Sequence, residues 1–184
     1  MKLEGLNLDE RQLVRAREMV IPLADNNIQF QQGNACELPF PDQCHDVVLA
    51  VECIFHFPDR VQFFKEAYRV LKPGGYLVLS DFVPMAALVP FTKIKLPEPF
   101  SAGFFGKCNI QYSAKHYQQL AKRTMFDVQV ERNITANTLP TYPYLRQLAR
   151  QQHVISKTAM IETAAIELLS RSRLVNYYIY GFKK

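Results

Sequence analysis

Three things are missing from this 184-residue chain, and each narrows what it can do. Its seven glycines, at 5, 33, 74, 75, 103, 106 and 181, never stand at G-x-G spacing. That excludes the fingerprint with which dinucleotide-binding folds seat a pyrophosphate, and so argues against a nicotinamide-dependent oxidoreductase. Its four cysteines, at 36, 44, 53 and 108, form no C-x-x-C pair, no His, Cys and carboxylate cluster has metal-ligand spacing, and the opening MKLEGLNLDERQ contains no apolar signal region. We expect no metal and reduced thiols in a cytoplasmic protein. The most apolar stretch, Phe82 to Phe91, is interrupted by Pro84 and Pro90, and it is far short of the ~20 residues a spanning helix needs, so no transmembrane anchor is expected. Concentrated positive charge is also absent. The net charge is +5, but Lys and Arg are scattered, adjacent only at Lys122-Arg123 and Lys183-Lys184, which reads as a solvated basic surface with no nucleic-acid partner.

With 48% hydrophobic residues and no internal composition shift, residues 1–184 read as one domain with one core. Leu3 to Leu8 is a short apolar strand, and Asp9 caps a helix running through Leu13 and Val20. Ile28 to Gln32 is a second strand. LPFPD follows as a loop, because neither proline suits a helix interior or a central strand. DVVLAV, residues 46 to 51, is apolar on both faces, as a strand buried between two helix layers would be. Pro58-Asp59 opens a helix over 60–71, Pro73-Gly74-Gly75 stops it, and Tyr76 to Ser80 is the next strand. The proline- and aromatic-rich segment 85–112 lacks a period and is long enough to be a lid. Ser113 caps a further helix, 126–133 and 175–182 alternate as strands, and a long helical region lies between them.

In an open parallel sheet, ligands bind outside the carboxyl ends of the strands. The polar residues fall there: Asn7 ends the first strand, Asn34 follows the second, Glu52 and His56 follow the third, and Asp81 follows the fourth. His56 can serve as a general base, since an imidazole titrates near neutral pH, with Glu52 as the alternative base or cofactor-side contact. The plainer readings are also open: Asn7 as a strand-terminating turn residue, and His56 as a helix cap or core residue.

Taken in order, GNACELPFPD, then ECIFHFPD, then RVLKPGG resemble the class I S-adenosylmethionine-dependent methyltransferases that act on small molecules, in the type 11-like subgroup that includes sterol, tocopherol and natural-product tailoring enzymes. The resemblance implies a Rossmann-like, mostly parallel sheet whose last strand inserts antiparallel. It also implies S-adenosylmethionine as cofactor, with Asn7 beside the ribose, Asn34 and Ala35 at the adenine, and His56 toward the methyl acceptor. Asn7 stands where the wider superfamily carries a carboxylate, and an amide accepts only one of the two ribose hydroxyl protons, which implies weaker binding. The aromatic residues of 85–112 would suit an apolar or aromatic small-molecule acceptor, or would simply form that segment's own core.

What the resemblance lacks is the family's first strand and its glycine-rich turn, which lie in mid-sheet between the strands matching 3–8 and 46–51. The expectation is an N-terminally truncated domain with three outcomes: the gap closes by one strand spacing, two apolar edges stay open, or a protein partner or a second copy supplies the strand. In a different class of function, the chain is a non-catalytic methyltransferase-like scaffold or half of a split enzyme.

Overall fold

The computed structural model describes residues 1–93, 108–152 and 156–184. In chain order the elements are β1 (Lys2–Asn7), α1 (Glu10–Met19), β2 (Asn27–Gln32), β3 (His45–Val51), α2 (Arg60–Val70), β4 (Leu71–Pro84), α3 (Ala114–Arg123), β5 (Asp127–Asn133), α4 (Thr135–Thr138), α5 (Thr141–Gln152), α6 (Lys157–Arg171) and β6 (Val175–Lys183). Single 3-10 turns stand at Ile54–His56, Ala86–Leu88 and Phe91–Lys93.

The strands form two sheets. β1 and β2 make a parallel pair, and the other four make a sheet of order β3-β4-β6-β5. β3 and β4 are parallel, while β6 runs antiparallel between β4 and β5, from Tyr76↔Lys183 to Pro84↔Val175 on one side. The mostly parallel sheet with an inserted antiparallel final strand is therefore present, but divided. β1 has not moved across to pair with β3, so the gap has not closed.

This corrects the expectation that β3 is covered on both faces. Ala50 is buried, yet Val47, Leu49 and Val51, which alternate onto the opposite face, are 55%, 67% and 57% exposed. Burying them would be worth roughly 1 to 2 kcal/mol each, since each is already part-buried. β3 is an edge strand with unpaired backbone donors and acceptors, and among the described residues nothing covers that face.

The other face holds the core. Phe63, Phe64 and Ala67, spaced along one side of α2, pack with Leu77, Leu79, Tyr117, Leu120, Tyr180 and Phe182. Phe64 lies edge-on to Phe182 at 5.2 Å and to Phe126 at 5.9 Å. Helix α2 begins where Asp59 accepts from the Gln62 amide at 2.9 Å, and it ends against Leu71. The Pro73-Gly74-Gly75 segment then bulges within β4, with Gly74 at φ +79° and a side chain at Gly75 excluded by Asp46 O at 2.9 Å. Lys184 is no solvated charge: its ammonium donates at 2.6 Å to both Tyr68 O and Leu71 O and sits 4.5 Å over the Tyr68 ring. A cation there complements the negative end of α2.

At the opposite end of α2, Arg60 is fully buried. It donates to Asp81 Oδ2 at 2.5 Å, lies 2.5 Å from Tyr117 Oη, and donates to Asn109 O, while Tyr117 gives its own proton to Asp81 Oδ2 at 2.6 Å. Burial pushes the Asp81 carboxyl above its ordinary range, against the pull of Arg60. The loop at 38–42 is pinned from α2 as well. Leu38 N donates to Glu66 Oε2 at 2.8 Å, and Arg69 donates to Leu38 O, Phe40 O and Asp42 Oδ1.

The helical stretch between β5 and β6 holds three helices, α4, α5 and α6. α6 has its own cap, Ser156, and it is tied to α5 by an ion pair between Arg146 and Glu167. Of the proposed lid, 94–107 lies outside the described residues, as do Phe100, Phe104 and Phe105, and also His153.

Candidate functional site

The sequence-predicted residues lie at strand carboxyl ends, spread over both sheets. Asn7 closes β1 with an exposed side chain whose Oδ1 accepts from Asp9 N at 2.9 Å, so half of its amide shapes the turn into α1. Its Nδ2 is the part left to donate to a ligand. Asn34 is used in the same way: Oδ1 accepts from Cys36 N at 2.9 Å within a tight turn closed by Glu37 N to Asn34 O. Ala35 beside it packs on the core. The plain reading of Asn7 as a turn residue thus holds for its oxygen, and the oxygen of Asn34 serves a turn as well.

Glu52 directly follows β3 and has a left-handed backbone, φ +50°. For a glutamate that conformation costs on the order of 1–3 kcal/mol, and such residues cluster at functional sites. Its amide donates to Ser80 Oγ at 3.2 Å, and its Oε1 accepts the Tyr177 hydroxyl proton at 2.8 Å. Tyr177 Oη also lies 2.9 Å from Ser80 Oγ. A phenol has one proton, so with Tyr177 donating to the carboxylate, the Ser80 hydroxyl donates back to Tyr177. Burial first, and then the Glu52 charge, push the Tyr177 phenol well above its ordinary range, so it stays protonated as a donor. Tyr177 and Ser80 were not among the residues singled out by sequence.

His56 ends the 3-10 turn anchored by buried Ile54 and Phe55. Its ring is exposed and meets the Phe55 ring edge-on at 4.4 Å. It is therefore not a core residue, and it lies beyond the end of the strand that carries Glu52. Among the described residues, no hydrogen bond or ion pair joins Asn7, Asn34, Glu52 and His56 to one another. Asp81, the other strand-end carboxylate, is consumed by Arg60 and Tyr117 and is structural.

The remaining titratable groups do not compete. Burial and the Asp81 charge push the Cys53 thiol up to about 11, so it is no nucleophile at neutral pH. Among the described residues all four cysteines are free and no group of His, Cys, Asp and Glu could hold a metal ion. No helix is long and apolar enough to cross a membrane among those described. His116 caps α3 through Ser113, with Nδ1 2.7 Å from Ser113 Oγ.

The sheet is Rossmann-like, with its final strand inserted antiparallel and the polar candidate residues at strand carboxyl ends. Comparison with known proteins bears on what such a sheet does. Residues 1–79 match the family model described as "Methyltransferase domain". The chain is 41% identical over 80 residues to 27-O-demethylrifamycin SV methyltransferase of Amycolatopsis mediterranei, covering 43% of this chain and 29% of that one. It is 36% identical over 113 residues to demethylmenaquinone methyltransferase of Listeria monocytogenes, covering 59% of this chain and 48% of that one. A solved geranyl diphosphate C-methyltransferase of Streptomyces coelicolor, in complex with Mg2+, geranyl diphosphate and S-adenosyl-L-homocysteine, superposes with a TM-score of 0.72 at 21% identity, covering 98% of this chain and 61% of that one. The match to the methyltransferase domain model is confined to residues 1–79, and the whole chain is similar in fold to the solved methyltransferase. The matched stretches span less than half the length of these two curated relatives.

Proposed function

We propose that the protein takes part in S-adenosylmethionine-dependent methyl transfer to a small, apolar or aromatic molecule, with Asn7, Asn34 and Ala35 on the adenosine side, His56 toward the acceptor, and Glu52 as the alternative base or a cofactor-side contact. The observation that carries this reading is Glu52, held in a left-handed conformation at a strand carboxyl end with its carboxylate oriented by a buried tyrosine. When bound, the cofactor supplies an activated sulfonium methyl. The chain's own part is to position the acceptor and to take its proton, with His56 as the base.

The residues present fit one end of that cofactor. Asn7 Nδ2 and the exposed Asn34 turn can meet an adenosine. The backbone amides that would hold the amino-acid end have no counterpart among the described residues, where β1 and β3 are not paired and meet through Glu4 Oε2 and His45 Nε2 at 3.3 Å. Calorimetric titration of S-adenosylhomocysteine into the protein tests the reading. Micromolar binding, about 8 kcal/mol, supports it, and absence of heat at millimolar ligand overturns it for this chain alone.

The gap supports a second reading: half of a split enzyme, or a non-catalytic scaffold, with a strand from a partner or a second copy lying between β1 and β3. Val47, Leu49 and Val51 and the unpaired edge of β3 are what such a strand and its following helix would cover. Light scattering together with amide exchange separates the cases. A dimer with protected β3 amides favours a second copy, whereas a monomer with exchanging β3 amides leaves a partner protein or the scaffold.

A further inference from the structure

The tyrosine that reaches Glu52 comes from the far end of the chain, 125 residues away. It is buried, with 7% of its surface exposed, and its ring meets Phe82 edge-on at 5.0 Å, while Phe82 in turn leans on Phe55 at 5.7 Å. Its backbone is fixed as well. Tyr177 N donates to Thr135 Oγ1 at 2.9 Å, and that hydroxyl donates to Asn133 Oδ1 at 2.6 Å. The phenol is thus a rigid donor placed by β6, β4 and the turn after β5, aimed at a residue of a different strand. A buried hydroxyl needs a partner, but a serine alone would have sufficed; here it shares Ser80 and spends its single proton on an otherwise exposed carboxylate.

From this arrangement we propose that Tyr177 is a positioning residue. Together with Ser80 it holds Glu52 in its left-handed conformation, so that Oε1 is fixed and Oε2 faces a hydroxyl or amine of the bound ligand. Ser80 secures the backbone by accepting the Glu52 amide, and Tyr177 secures the carboxylate; the two hydroxyls secure each other. Glu52 Oε2 has no hydrogen-bond partner among the described residues, which leaves it as the acceptor for a donor from outside. A fixed carboxylate loses less rotamer freedom on binding than a free one, which is the advantage such a clamp confers. The ligand role rests on the methyl-transfer reading above; the clamp does not.

The test uses the intact chain and two readouts. The first is the Glu52 amide to α-proton coupling, which reports its φ, in wild type, Tyr177→Phe and Ser80→Ala. Phenylalanine keeps the ring packed against Phe82 and removes only the hydroxyl. The second is calorimetric affinity for S-adenosylhomocysteine, a ligand bearing both an amine and hydroxyls. Both variants are expected to move the Glu52 coupling away from its left-handed value, and Tyr177→Phe to weaken S-adenosylhomocysteine about tenfold, as loss of a hydrogen bond to a charged group does. An unchanged coupling in Tyr177→Phe overturns the clamp. A shifted coupling with unchanged affinity makes the clamp structural and overturns the positioning role. If wild type does not bind S-adenosylhomocysteine, the methyl-transfer reading fails for this chain, while the coupling still decides whether Tyr177 holds Glu52.

Discussion

The unit built on β3, β4, β6 and β5 and the unit built on β1, α1 and β2 differ in what holds them. The larger has a continuous apolar core, a buried ion pair and the Glu52 clamp. The smaller has one fully buried apolar residue, Leu13, with its charges paired at the surface, such as Arg17 with Glu10 at 2.6 Å and Lys2 with Glu4 at 2.8 Å. Exposed pairs of that kind contribute about 0–1 kcal/mol. The candidate residues divide along the same line: Glu52 and His56 stand on the firm unit, whereas Asn7 stands on the weak one and Asn34 just beyond it. The Glu52 end is therefore preorganised, and the Asn7 end depends on whatever fixes β1 relative to β3.

Four experiments can break or sharpen that contrast. Asp81→Ala leaves Arg60 as an uncompensated buried charge and is expected to cost about 4 kcal/mol, read as a lower urea midpoint with exchange rising throughout β4 and β6. Leu13→Ala should cost about 3 kcal/mol, but only in the small unit: β1 and β2 amides exchange faster while β4 amides do not move. A rise in β4 exchange would show that the two units unfold together and sink the comparison.

Smaller effects follow at the boundary. Arg69, first among its partners, holds the Glu66 carboxyl below its ordinary 4.5. A depressed folded pKa means that the contribution is present above 4.5 and lost as pH falls through the folded value. The 38–42 loop amides should therefore lose protection on acidification below that point, by about 1 kcal/mol for a partly buried pair, and Arg69→Ala should weaken the dependence. Asp9→Ala removes the α1 cap, where Asp9 accepts from Arg11 N at 3.0 Å, and should cost at most about 1 kcal/mol, again confined to the small unit.

Much of this was legible in the sequence wherever the information is local. Asp9 and Asp59 announced their helices, and LPFPD had to be a loop. β3 misled because an apolar strand reads the same whether or not its second face is covered; coverage depends on other elements. Asn7 ends β1 and Asn34 follows β2, but no sequence pattern tells whether an asparagine oxygen serves a ligand or the next amide. Tyr177 was out of reach because its partner, Glu52, is 125 residues away. Arg60 was passed over for a simpler reason: a fully buried arginine is rare enough that sequence reasoning puts it on the surface.

That arginine also bears on how the larger unit comes together. Its partners lie 21, 49 and 57 residues further along the chain, so no short fragment contains them all. Until β4, α3 and the strand of chain at Asn109 have arrived together, closing the core would trap a bare cation in oil. Half-assembled forms must therefore stay open and hydrated. The cluster makes completion of this half nearly all-or-none, so that a chain caught during synthesis shows proteases either an unguarded α2 or none of it.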